Sequence, residues 1–150
     1  AAEADEGAYF FLDFTGDRLD PAPLVALLPL TTVRRPKKKG DPLGPTREGK
    51  TPRAKTGYCG FHTHDIVPSK TANEHAKFLL EFVSDHLSGI RSIMSAQSLA
   101  WKAVLAEGPL EGQRFSDLEP EIFRKADELG LPLSFENAII VTPDVGRSEP

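Results

Sequence analysis

Nine Lys and Arg side chains crowd into residues 34–55: Arg34, Arg35, Lys37, Lys38, Lys39, Arg47, Lys50, Arg53 and Lys55. Only Asp41 and Glu48 oppose them, so this segment carries +7 while the remaining chain carries −11. The chemistry such a block offers is electrostatic. Lys and Arg on a loop rich in Pro and Gly make a candidate anion site, for an acidic protein surface or for nucleic-acid phosphate. No aromatic side chain lies between 34 and 55 to stack on bases, and the formal net charge of −4 opposes a dedicated nucleic-acid binder. An acidic protein is therefore the first expected partner and nucleic acid the second. The competing reading is a solvated, charge-rich loop that offsets an acidic body.

His62 and His64 come next. At i, i+2 on a strand their imidazoles point the same way and offer two metal ligands, where zinc takes three or four. Asp65 and Cys59 are expected on the opposite face. His75 and His86 lie ~16 Å apart along one helix at 1.5 Å per residue, too far to share an ion. Both read as hydrogen-bonded residues of an apolar stripe, so no metal and no cofactor are expected. Cys59, beside Phe61 on the core face, reads as a buried, inert thiol, since a nucleophile needs a base and some exposure. Asp17 and Asp20 have turn and cap duties. Glu119, Glu121, Asp127 and Glu128 read as a solvated helix face. No catalytic constellation emerges, and a metal-dependent enzyme centred on His62 and His64 stands third, behind the two binding readings. The expected binding set is the nine bases with Tyr58, His62 and His64, and if the strands of these residues and of Trp101 are neighbours, Tyr58 and His62 form an aromatic-polar contact patch beside the loop.

Those side chains need elements to hold them. Residues 8–14 alternate as an aromatic strand with Phe10, Leu12 and Phe14 on one face. Asp20 is an N-cap and Pro21 a first helical residue, and Pro29 ends that short helix. Residues 31–35 read as a short strand, and 36–55 as twenty residues without regular structure, a length usually kept for function. Residues 56–66 form a strand with Cys59, Phe61 and Thr63 on one face and Tyr58, Gly60, His62 and His64 on the other. A long helix runs over 71–87, with Gly89 after its end and Ala76, Leu79, Leu80, Val83, Leu87 and Ile90 as its core stripe. Residues 97–106 alternate as a strand, and 113–115 are placed to pair with it. Pro120 opens a helix whose apolar face is Ile122, Phe123, Ala126 and Leu129, and Gly130 closes it. Leu131, Leu133 and Phe135 make a last strand, flanked by 138–141.

This order predicts an α+β fold: one mixed, mostly antiparallel sheet of five or six strands with three helices packed on it. A chain of 150 residues reads as one domain over 8–141, with flexible segments at 1–7 and 142–150. One cysteine permits no internal disulfide and points to a reducing compartment. The longest apolar run is broken by Pro29 and too short for a bilayer, and residues 1–7 are acidic without the parts of a signal peptide. A cytoplasmic location follows as an expectation.

Several segments resemble a bacterial family catalogued as domain-of-unknown-function family 4279. They are residues 14–21 (Phe-Thr-Gly-Asp-Arg-Leu-Asp-Pro), the Lys39, Gly40, Asp41 turn, Gly57 with Tyr58, Leu118, Glu119 and Pro120 through Leu129, Gly130 and Leu131, and then Leu133, Ser134, Phe135 and Glu136. The resemblance covers most of 8–140 and implies the same small α+β sheet. It carries no catalytic residue. A Trp usual in the family near position 58 is Tyr here, and the basic loop is longer than the family's.

Overall fold

The computed structural model describes residues 8–32, 36–44, 48–64, 66–67, 71–107 and 118–137. Arg34, Arg35, Arg47 and Asp65, the 113–115 and 138–141 strand expectations and both terminal segments lie outside them.

β1 (Ala8–Gly16) is the spine of the sheet. β-Branched and aromatic residues favour extended chain because they pack on a pleated surface, and β1 is rich in aromatics. It pairs antiparallel with β3 (Gly57–His62) on one side and with β4 (Ala100–Glu107) on the other. The two-residue β2 (Thr31–Thr32) adds antiparallel to β3, and β5 (Leu133–Asn137) adds parallel to β4. The order is β2-β3-β1-β4-β5, a single mixed sheet of an α+β fold.

Among the described residues four helices accompany it rather than the three expected. α1 (Pro21–Leu27) begins as the caps dictate: Asp20 Oδ1 accepts the Ala22 N–H at 3.3 Å. α2 (Ala72–Asp85) is capped by Thr71, whose hydroxyl accepts from the Glu74 N–H at 3.4 Å. The chain then bends at His86 and enters α3 (Leu87–Gln97), which the sequence reading missed. Gly89 caused the error. It sits inside α3, and a Cβ there would lie 2.9 Å from Leu27 Cδ2. Gly89 is thus a close-approach residue where α1 meets α3, not a stop signal. The stop is Ser98, in the left-handed region at φ 56°, so β4 starts at Ala100 rather than 97. α4 (Pro120–Leu129) ends at left-handed Gly130 as expected.

The sheet's period of two sorts the core. Phe10, Leu12 and Phe14 of β1, Cys59 and Phe61 of β3, and Ala103 and Leu105 of β4 join residues from all four helices in one buried cluster. Full burial of each such large side chain stabilises by roughly 1.5–3 kcal/mol. The opposite face carries a second buried cluster of strand residues alone: Tyr9, Phe11, Val104 and Ala106. Phe123, expected on the buried side of α4, is 41% exposed. Ile122, Ala126 and Leu129 already fill the inward stripe, and Phe123 falls one step around the helix from it. Among the described residues no helix is long and apolar enough to cross a membrane.

Candidate binding surface

The basic segment forms no named strand but is held by hydrogen bonds. Lys37 exchanges two backbone hydrogen bonds with Tyr58, at 2.9 and 2.8 Å, so the chain rejoins the edge of β3 on which β2 lies. A turn follows. The Asp41 N–H donates to the Lys38 carbonyl at 3.0 Å, the Lys38 N–H donates to Asp41 Oδ2 at 2.8 Å, and Gly40 takes φ +88°. Beyond it the strands ladder back: Gly40 N–H to Ala54 O, Ala54 N–H to Asp41 O, and Leu43 N–H to Pro52 O, all within 2.8–2.9 Å. Pro42 and Arg53 face each other across this short antiparallel bridge. The described part of 36–55 holds no helix or strand, as expected, but isolated antiparallel bridges and these hydrogen bonds order it as a short two-stranded ribbon. Its pairing was hidden because Pro and Gly mask the alternation that marks a strand.

Charge pins the ribbon to the body. Lys39 Nζ lies 3.3 Å from Asp17 Oδ2 and Lys38 Nζ lies 4.0 Å from Asp20 Oδ1. The hydrogen bond from the Thr56 side chain, and after it the Lys39 ammonium, hold the Asp17 carboxyl below its ordinary value of 3.8. Arg53 Nη1 donates to the Gly40 carbonyl at 3.0 Å and braces the turn. Lys38 and Lys39 thus spend part of their charge on the β1–α1 turn. Lys50, Arg53 and Lys55 stand exposed along the returning strand.

The expected aromatic-polar patch is partly dismantled. Tyr58 is half-buried, and its hydroxyl donates to Asp13 Oδ1 at 2.8 Å. His62 is only 2% exposed, and its Nδ1 accepts the His64 N–H at 3.2 Å, so it presents nothing to a partner. Phe11 stands opposite it on β1 within the sheet's second buried face, which removes His62 from the surface. His64, half-buried, sets its ring edge-on to Tyr9 with centroids 4.8 Å apart. The His62 and His64 rings lie 6.3 Å apart. Among the described residues no three His, Cys, Asp or Glu side chains gather as metal ligands. Trp101 lies on the helix-covered face against Phe14 and donates Nε1–H to the Gly130 carbonyl, away from Tyr58.

Two polar contacts escaped sequence reasoning. One is Tyr58 with Asp13, whose signal was a carboxylate at a central position of an aromatic strand. The other joins Thr63 to His75, with Oγ1 and Nδ1 2.6 Å apart and both residues buried. The same hydroxyl accepts the Phe10 N–H at 3.0 Å. Cys59 is buried as expected; burial first, and then the charge of Asp13, push its thiol up to about 12. His86 is half-buried at the α2–α3 bend, with Nδ1 2.9 Å from the Phe82 carbonyl.

Compared with protein-family models, curated proteins and solved structures, the chain matches none of them.

Proposed function

We propose that the chain is a non-enzymatic binding protein of the bacterial cytoplasm, and that the ribbon over 36–55 is its contact for an acidic partner protein. One observation carries this reading: the described part of the ribbon is hydrogen-bonded and ion-paired into place, yet it adds no residue to the hydrophobic core. Ordering backbone costs ~1–2 kcal/mol per residue, and a surface segment that buries no core is ordered for some other reason. Its cationic side chains supply that reason, since a preformed charged surface lowers the cost of binding an oppositely charged one. Lys37, Arg47, Lys50, Arg53 and Lys55, with Arg34 and Arg35 from the preceding chain, form the proposed contact, and Tyr58 borders it through its pairing with Lys37; His64, against Tyr9 at the other end of the β1–β3 pair, does not. Membership of the domain-of-unknown-function family 4279 belongs to the same proposal and rests on the segments at 14–21 and 118–131.

The test is a pull-down from nuclease-treated bacterial lysate with wild type and with Lys37, Lys50 and Lys55 all changed to Gln. A stoichiometric protein lost in the variant supports the reading. An identical set of co-eluting proteins removes the ribbon from the interface.

The ribbon's shape favours one second reading. A two-stranded ribbon fits the major groove of duplex DNA, and its bases would meet the phosphates. Fluorescence anisotropy with a duplex at about 50 mM salt tests this, because affinity from several phosphate contacts falls steeply as salt rises. No binding at low salt ends it.

A further inference from the structure

A groove of about 480 Å³ runs between α2 and α4. Leu80 and Ile122 form its apolar floor, and Glu81, Asp85, Glu119 and Glu121 stand around its rim. Lys77 and Lys125 stand with these four carboxylates, Lys77 Nζ lies 3.3 Å from Glu119 Oε1 and Arg124 Nη2 lies 3.1 Å from Glu121 Oε1, which leaves the negative excess of the groove on Glu81 and Asp85. The groove is thus a negatively charged cleft with an apolar bottom, and it shares no residue with the ribbon. One turn of α4 beyond Glu119, Phe123 offers an exposed ring.

Resting on the reading of the ribbon as a contact for an acidic protein, we propose that this partner is a second copy of the chain, whose ribbon seats in the α2–α4 groove. Charge complementarity selects the occupant: this chain carries both a +7 segment and a −11 remainder, so each copy holds the charge the other's site lacks. The spacing also agrees. Glu81 and Asp85 lie one turn apart on α2, ~6 Å along the axis. Arg53 and Lys55 lie two residues apart on the returning strand, ~6.7 Å in extended chain. The exposed Phe123 ring is placed as an aromatic anchor at the edge of the contact. Since ribbon and groove are different surfaces, the contact is head-to-tail and grows into rings or chains rather than closing as a two-fold dimer.

Sedimentation velocity on the full chain tests this with two variants. Glu81→Lys/Asp85→Lys reverses the groove and leaves the ribbon intact. Arg53→Glu/Lys55→Glu reverses the ribbon and leaves the groove intact. At low salt the wild type gains mass with concentration, and high salt returns it to monomer. Each variant alone associates at least about tenfold more weakly. Mixing the two restores association, because the intact ribbon meets the intact groove and the reversed ribbon meets the reversed groove, each with opposite charge. A wild type that stays monomeric at low salt, or a mixture that does not associate, overturns the proposal. Arg53→Glu disturbs the brace to Gly40, so the groove variant, confined to exposed helix positions, decides if the ribbon variant unfolds. Self-docking alone falls if the wild type is monomeric while the ribbon variant loses an acidic lysate partner. Both readings fall if the ribbon variant associates like wild type and keeps every partner.

Discussion

The Tyr58 hydroxyl reaches across the β1–β3 pair to Asp13 at 2.8 Å, and its ring crosses Gly60 to do so. A Cβ on residue 60 would collide with Tyr58 Oη at 2.1 Å and with Asp13 Oδ1 at 2.7 Å. Gly60 is therefore the gap through which a strand carboxylate finds its donor, on the sheet face without described helices and two residues from where Lys37 joins the edge.

Tyr58→Phe is expected to destabilise the fold by about 1–2 kcal/mol, because a half-buried carboxylate loses a donor. Gly60→Ala is expected to cost about 1–3 kcal/mol by overpacking, since both blocking atoms must move together. Urea denaturation of the two single variants and the double measures this. If the clash acts through the pair, the double variant costs less than the sum of the singles.

Thr63→Val is expected to cost about 1–3 kcal/mol, because the Phe10 N–H and the His75 ring nitrogen lose a buried partner together. Thr63→Ser keeps the hydroxyl and should cost only about 1 kcal/mol for the lost methyl. Equal losses in the two variants, measured by denaturation, would mean that shape rather than hydrogen bonding holds this corner.

Cys59 is expected to resist a water-soluble disulfide reagent at pH 8 until the chain unfolds, since the thiol sits at 0% exposure and is pushed up to about 12. The same shift sets a pH dependence. The unfolded thiol ionises near 9.0 and the folded one near 12, so between these values the unfolded state holds fewer protons. Stability must then fall as pH climbs through that window, and Cys59→Ala should fall less. Parallel pH dependences in the two proteins would contradict the assignment.

A hydrogen bond from Thr56, and after it the hydrogen bond and charge of Lys39, hold the Asp17 carboxyl below its ordinary value of 3.8. Any stability this confers is present above the ordinary carboxylate value and is lost as pH falls through the lowered one. In Lys39→Gln and in Thr56→Val alike the NMR titration of Asp17 should move up yet stay below 3.8. A titration unmoved in Lys39→Gln would show that its ammonium does not hold the ribbon to the body.

Much of this protein is decided by neighbours in the chain. The aromatic alternation of β1, the Asp20 and Pro21 start of α1, the Pro120 start and Gly130 end of α4, and the buried face of Cys59 and Phe61 follow from periods and caps within a few residues. Such signals act locally, through dihedral preference and side-chain direction, so the sequence alone determined them. Only the tertiary structure decided the rest. Tyr58 finds Asp13 forty-five positions away, and Thr63 finds Phe10 at a separation of fifty-three. His62 alternates like an exposed residue and is buried because Phe11 stands opposite it. Gly89 looks like a helix stop and is instead where Leu27 passes. The basic segment becomes a ribbon because β3 offers it an edge and Asp17 and Asp20 offer it charge. The physical reason is common to all four. A side chain's burial and partners depend on which strands and helices become neighbours, and that choice is made by the whole core at once rather than by any local pattern.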